Sequence, residues 1–233
     1  MVKIGPCLKI GKLMFPIRDS KNSGKFPIIN LFLIIFNIYV FVQELLAPST
    51  QLFIEKYALV PTNISLFQFE TLTPFITSMF LHAGFLHILS NLWFLWIFGD
   101  NVEAAMGSVK YLVFYLFCGV LASFAQYIFI SGSYLPMVGA SGAIAGVLGA
   151  YLKFFPRNSI DTIIPVFGLP FIAAIPAGFM LVYWFFIQAF SGVASIVVVT
   201  ASIGGIAYLA HAGGFLSGFL LSGSFSANSG RKR

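Results

Sequence analysis

The chain has 233 residues, of which 59% are hydrophobic and only 9% charged, against roughly a quarter charged in an ordinary soluble domain. So few charges cannot cover a soluble globule. Disorder is excluded by the dominant apolar runs, a collagen-like repeat by glycines without a three-residue period, and a disulfide scaffold by the cysteine count of two. What remains is an all-α, polytopic membrane protein, and the net charge of +6 has to be read as a topology signal.

Residues 1–27 form a basic tail holding Lys3, Lys9, Lys12, Arg18, Lys21 and Lys25. Only Phe15 interleaves these cations, which argues against a nucleic-acid surface. Cys7 lies in this tail and Cys118 in an apolar run, at different depths, so no disulfide is expected. A bilayer core of about 30 Å needs about 20 apolar residues per helix. On that basis six spans are predicted within residues 28–221: 28–46, 75–98, 111–130, 138–154, 172–190 and 203–221. The first is too long for a signal peptide and lacks a cleavage site, so it reads as an anchor. Between spans one and two, Pro48, Pro61 and Pro74 alternate with Phe53, Tyr57, Leu66 and Phe69. Such a segment is too apolar for a solvated linker and predicts an interfacial structure with short helices. Residues 222–233 read as a Ser/Gly-rich basic tail, disordered from Ser222 to Gly230.

Six spans place twelve of the thirteen Lys and Arg on one side and leave Lys56 alone on the other. Both termini are therefore expected in the cytoplasm. With no organelle targeting peptide evident in the sequence, the expected location is the plasma membrane of a prokaryote.

Polar side chains inside a span are costly and mark protein interiors and function. Span two holds His82, His87 and Asn91, the last two four apart and so on one helical face. Span four carries Gly139-Ala140-Ser141-Gly142-Ala143, then Gly146 and Gly149. Span six carries His211, then Gly214 and Gly218 on the same face. Two glycine-lined faces can approach closely, so Gly142 and Gly146 are expected to pack on Gly214 and Gly218. That packing would bring His211 within reach of Ser141, giving a nucleophile and its base. Asp100, Glu103 and Asp161 fall at the cytoplasmic ends of spans, so the expectation is a Ser-His dyad without a carboxylate. Interhelical hydrogen bonding by the polar residues and simple close packing by Ser141 are the structural alternatives.

Four stretches together resemble the rhomboid family of intramembrane serine proteases over about 150 residues. They are Thr77 to Asn91 with His82, Gly84, His87 and Asn91, Phe98-Gly99-Asp100-Asn101-Val102-Glu103, Gly139 to Ala143, and Ala210-His211-Ala-Gly-Gly214-Phe-Leu-Ser-Gly218. The resemblance implies a bundle of six transmembrane helices in which Ser141 is the nucleophile and His211 the general base and acid. It also implies that His87 and Asn91 donate to the oxyanion with the backbone N–H groups of Ala140 and Ser141, while His82 is left without an assigned role. Implied partners are membrane-anchored protein substrates and the lipid bilayer, with no nucleic acid and no cofactor. A metal held by His82, His87 and His211 is disfavoured because no Cys, Asp or Glu accompanies them. Two departures stand out: the first loop lacks a Trp-Arg pair at Phe69 to Thr73, and Ala145 occupies the place of an aromatic that would stack on the histidine. The rival readings are a non-catalytic protein of the same fold that binds transmembrane client helices, and a small transporter. Filled dyad positions oppose the first, and the lack of paired midplane charges opposes the second.

Overall fold

The structure is a computed structural model that describes residues 14–21, 23–166, 169–197 and 207–227. The chain runs as strand β1 (Phe15–Asp19), helices α1 (Ile28–Leu46), α2 (Thr50–Tyr57) and α3 (Pro74–Thr77), then α4 (Phe85–Met106), α5 (Ser108–Ile130) and α6 (Ser141–Phe154). Strands β2 (Ser159–Val166) and β3 (Leu169–Pro176) follow, then α7 (Ala177–Val197) and α8 (Tyr208–Phe225). Six of these helices, α1 and α4 to α8, make a membrane bundle around α6, in which every residue from Gly142 to Tyr151 is buried. Helices α8, α5 and α4 pack around it.

Helix α1 shows how a membrane helix inverts the soluble pattern. Asn30, Asn37 and Glu44 recur every seven residues on its buried face, whereas Phe32, Ile35, Tyr39, Val42 and Leu46 are exposed. The polar edge turns inward and the apolar edge meets lipid. At its start the Glu103 carboxylate, from the end of α4, accepts the N–H groups of Ile29 (3.0 Å) and Asn30 (2.8 Å) and the Ser108 hydroxyl (2.5 Å). Pro27, at the N-cap, supplies no side-chain bond, so the orphan donors of α1 are satisfied from 73 residues away. The Asn30 amide donates to the Leu95 carbonyl and accepts from the Tyr111 hydroxyl, and it lies where a side chain on Gly99 would be. A single residue, Gly107 at φ 83°, turns the chain from α4 into α5, a conformation that glycine adopts without strain.

Several boundaries differ from the sequence expectation. The predicted span 75–98 is broken: the segment up to Phe80 and α4 meet at 82°, and α4 continues to Met106. Helix α5 starts three residues earlier than expected, at Ser108. Helix α6 starts at Ser141 and not at 138, and its 14 residues reach only about 21 Å. The fifth span starts at Ala177, because residues 172–176 belong to an antiparallel hairpin in which Ser159 faces Pro176 and Ile164 faces Phe171. Strand β1 adds to its other side, with Phe15 opposite Ile163 and Asp19 opposite Ile160, in the order β1-β2-β3. Part of the basic tail is thus a sheet edge. A short apolar run reads alike as strand or helix, and Pro165, Pro170 and Pro176 with the β-branched Ile160, Thr162, Ile163 and Ile164 were the strand signal. The last span begins at Tyr208 and runs on through Ser222 to Phe225, a stretch expected to be disordered; residues 203–206 lie outside the described residues. Helix α2 and 3-10 turns at Pro61–Asn63 and Phe69–Leu72 occupy the interfacial loop, as its composition suggests.

Candidate active site

The site forms where the short α6 begins. Its first residue is Ser141, preceded by Gly139 at φ 126° and Ala140. Gly139 donates its N–H to the Ser78 carbonyl at 2.9 Å, and a Cβ there would lie 2.8 Å from His87 Cε1 and Nε2. The position therefore requires glycine twice over, for its backbone angle and for the imidazole pressed against it. The first N–H groups of α6 have no intrahelical acceptor, as at any helix start, and no side chain caps them.

Helix α8 supplies an imidazole. His211 Nε2 lies 2.7 Å from Ser141 Oγ. Close packing of α6 on α8 makes this distance possible. A side chain on Gly214 would collide with the Gly142 carbonyl, one on Gly218 with the Gly146 carbonyl, and one on Gly149 with the backbone of Phe215 and Phe219. The backbones themselves are in contact along the seam. Gln126 of α5 accepts the Ala210 N–H at 3.1 Å, tying down the first turn of α8 beside the histidine.

His211 is held on its far side by two residues of α7. Its Nδ1 lies 2.7 Å from Gln188 Oε1, and the Trp184 indole lies against the ring, with centroids 6.0 Å apart and planes inclined by 29°. Neither residue was singled out from the sequence. Gln188 is the only amide side chain of α7, and the rule that a polar residue in a span faces the interior would have found it. Trp184 fills from another helix the stacking place that the sequence suggests for Ala145, which is buried.

Helix α4 supplies two further polar groups in its first turns. His87 Nδ1 accepts the Ala83 N–H at 3.4 Å, which leaves the proton on Nε2, the atom facing Gly139. One turn later Asn91 is buried, and its Nδ2 has no partner among the described residues. His82 lies in the break before α4 and not on the helix with His87, so the two are not on a common helical face. Its ring is fully buried, meets Phe41 and His87 edge-on, and has no hydrogen bond at either nitrogen among the described residues. The His82 N–H donates to Glu44 Oε2 at 3.1 Å, a buried carboxylate that the sequence reading passed over because it ends the first span. Among the described residues no three His, Cys, Asp or Glu side chains are grouped to hold a metal. A cavity of about 30 Å³ opens beside Ser141, lined by Met79, Gly119, Ser123, Met137 and Ala210.

Apolar helices long enough to cross a bilayer, with a hydroxyl at a glycine-framed helix start and an imidazole within hydrogen-bond distance of it, make this a polytopic helical membrane protein with a serine-histidine contact in its interior. The model of the rhomboid domain matches residues 70–228, and the chain belongs to the rhomboid family. It is similar to the mitochondrial presenilin-associated rhomboid-like protein of Mus musculus, 34% identical over 98 residues, covering 41% of this chain and 26% of that protein. It is also similar to two proteins of Bacillus subtilis (strain 168). Rhomboid protease GluP is 43% identical over 77 residues, 33% of this chain and 15% of that protein. The putative rhomboid protease YdcA is 38% identical over 77 residues, 33% of this chain and 38% of that protein. The matched stretch thus spans about a quarter of the length of the mouse relative.

Proposed function

We propose that the protein is an intramembrane serine endopeptidase that cleaves membrane-anchored proteins in or near their transmembrane segments. The observation that carries this reading is the 2.7 Å contact between Ser141 Oγ and His211 Nε2. Serine is a weak nucleophile until a base takes its proton in the transition state. As Ser141 Oγ attacks a peptide carbonyl, its proton passes to His211 Nε2 and the carbonyl oxygen gains charge. His87 Nε2–H, Asn91 Nδ2–H and the backbone N–H groups at Ala140 and Ser141 would donate to that oxygen. A preorganised set of this kind acts strongly in a site of low dielectric constant. His211 then gives its proton to the leaving amine, and water, deprotonated by His211 in turn, hydrolyses the acyl-enzyme.

Helix α6 is about 9 Å shorter than the hydrocarbon core. If Phe154 lies at one interface, Ser141 is recessed from the other by that amount. The charge asymmetry supports placing the recess on the extracytoplasmic side of a cell membrane, with both termini in the cytoplasm. An intact substrate helix shields its carbonyls, so local unwinding has to precede attack.

The test is cleavage of a single-span model substrate by the purified protein in detergent. Wild type should cut it, and Ser141→Ala and His211→Ala should each abolish cutting while melting within a few degrees of wild type, since the pair works as a unit. Substantial cleavage by either variant rejects the assignment.

A further inference from the structure

His211 meets Ser141 with one ring nitrogen and Gln188 with the other, at 2.7 Å in each case. Gln188 is 8% exposed, on a helix whose outer face carries Phe179, Val182, Phe186 and Phe190 toward lipid. An amide buried at this depth needs a partner, because its desolvation is otherwise uncompensated. A neutral imidazole has one N–H and one lone pair. With the amide oxygen at Nδ1, the proton stays on Nδ1 and the lone pair of Nε2 faces the serine, the only tautomer in which Nε2 can receive the Ser141 proton.

We propose that Gln188 is the positioning residue of the catalytic pair: its amide oxygen holds His211 in the Nδ1–H tautomer and braces the imidazolium that forms when Ser141 is deprotonated. The working unit is then Ser141, His211 and Gln188, drawn from α6, α8 and α7. The Nδ1 proton stays in place throughout; only the serine proton travels, to Nε2 and on to the leaving amine. The Nδ1–H to oxygen bond strengthens as the ring becomes charged, so it favours the transition state over the ground state. An amide suits this setting better than the carboxylate of soluble triads. A carboxylate there would be a buried charge facing a neutral ring in the resting protein, and its desolvation would oppose folding. Trp184 limits the plane in which the ring can rotate, so that a single hydrogen bond suffices to fix it.

The inference rests on the protease reading, and two measurements separate its failure from that of the reading. The first does not need activity. The protein has three histidines, so ¹⁵N spectra of the ring nitrogens can be assigned with His82→Phe and His87→Phe variants. In the wild type, at a pH where the ring is neutral, His211 should show a protonated Nδ1. Gln188→Met, which keeps the length and packing but removes the acceptor, should convert it to the Nε2–H form or a mixture. An unchanged Nδ1–H population in Gln188→Met overturns the proposal whether or not the protein is a protease.

The second measurement is kinetic. Gln188→Met should lower kcat about tenfold to a hundredfold, less than the roughly 10²- to 10⁴-fold that a whole general base supplies because His211 itself remains, with KM within twofold and the melting temperature within about 2 °C. Gln188→Glu restores an acceptor and adds a charge. It should recover most of kcat at alkaline pH, with the acid limb of kcat/KM displaced to higher pH because the carboxylate favours the imidazolium. A Gln188→Met enzyme at wild-type kcat, or a Gln188→Glu profile without displacement, overturns the positioning role. A wild-type protein that fails to cut while the spectra change as expected would instead reject the protease reading and leave the hydrogen bond standing.

Discussion

The two ends of the bundle treat buried polar groups in opposite ways. Where α1 and α5 begin and α4 ends, each is paired: Glu103 accepts three hydrogen bonds, Asn30 uses both its amide nitrogen and its oxygen, and Asn101 donates to Asp19. Tyr151 bonds to Asp19 and accepts from Asn158, and Arg18 pairs with Asp161 in the sheet. Around Ser141, by contrast, Asn91 Nδ2 and both nitrogens of His82 have no partner among the described residues. A satisfied network holds helices in place, whereas a spare donor costs stability and is available to a ligand or a developing charge. One end is thus tied together by hydrogen bonds, and the other keeps spare the groups that the proposed chemistry would use, with the glycine seam of α6 and α8 running between them.

Gly214→Leu strikes that seam and should blur the contrast. Its side chain would have to displace the Gly142 carbonyl, at a cost of about 3 kcal/mol or more. Melting temperature and turnover should fall together, and a variant unchanged in both would show that the backbones are not in contact there. Asn91→Ala separates the two ends. Losing one oxyanion donor should cost about 2.7 to 4 kcal/mol in the transition state, read as a fall in kcat of about 10² to 10³. Removing an unpaired buried donor should at the same time leave thermal stability unchanged or slightly raised. Destabilisation with full turnover would reverse the assignment of this group.

Glu103→Ala is the mirror experiment. It strips the start of α1 and the Ser108 hydroxyl of their acceptor, with an expected loss of about 2 to 3 kcal/mol in reversible unfolding in mixed micelles and little change in turnover per folded molecule. Tyr111→Phe is a smaller probe of the same end, leaving Asn30 Oδ1 unpaired at a cost of about 1 kcal/mol. A fall in kcat in this last variant, without a change in melting, would tie the distant network to the chemistry and undo the division.

What the sequence made legible follows the same division. Ser141, His211, His87 and the glycines were found because polar and small residues inside apolar runs are conspicuous, and their spacing fixed which helix faces they share. The groups that depend on tertiary placement were not. Gln188 and Trp184 come from a helix with no motif around them, and Gln126 acts on a backbone N–H 84 residues away. The break at residues 81–84 lies inside a stretch hydropathic enough to read as one span, and it shows only in three dimensions, as an 82° bend that leaves His82 outside α4. The hairpin of β2 and β3 was hidden for the same reason: its residues are as apolar as the helix that follows.

Strand β1 carries a consequence for biosynthesis. Arg18 and its partner Asp161 are 143 residues apart, and β2, the strand that β1 pairs with, is made after six of the eight helices, just after α6. At 5 to 20 residues per second the ribosome needs roughly 7 to 30 s to supply it. Through that interval α1, α4 and α5 can enter the bilayer and associate while the amino-terminal strand has no ladder to join. Closure of the sheet is therefore a late event in vectorial assembly, one that can occur only after the helix bearing Ser141 has been delivered.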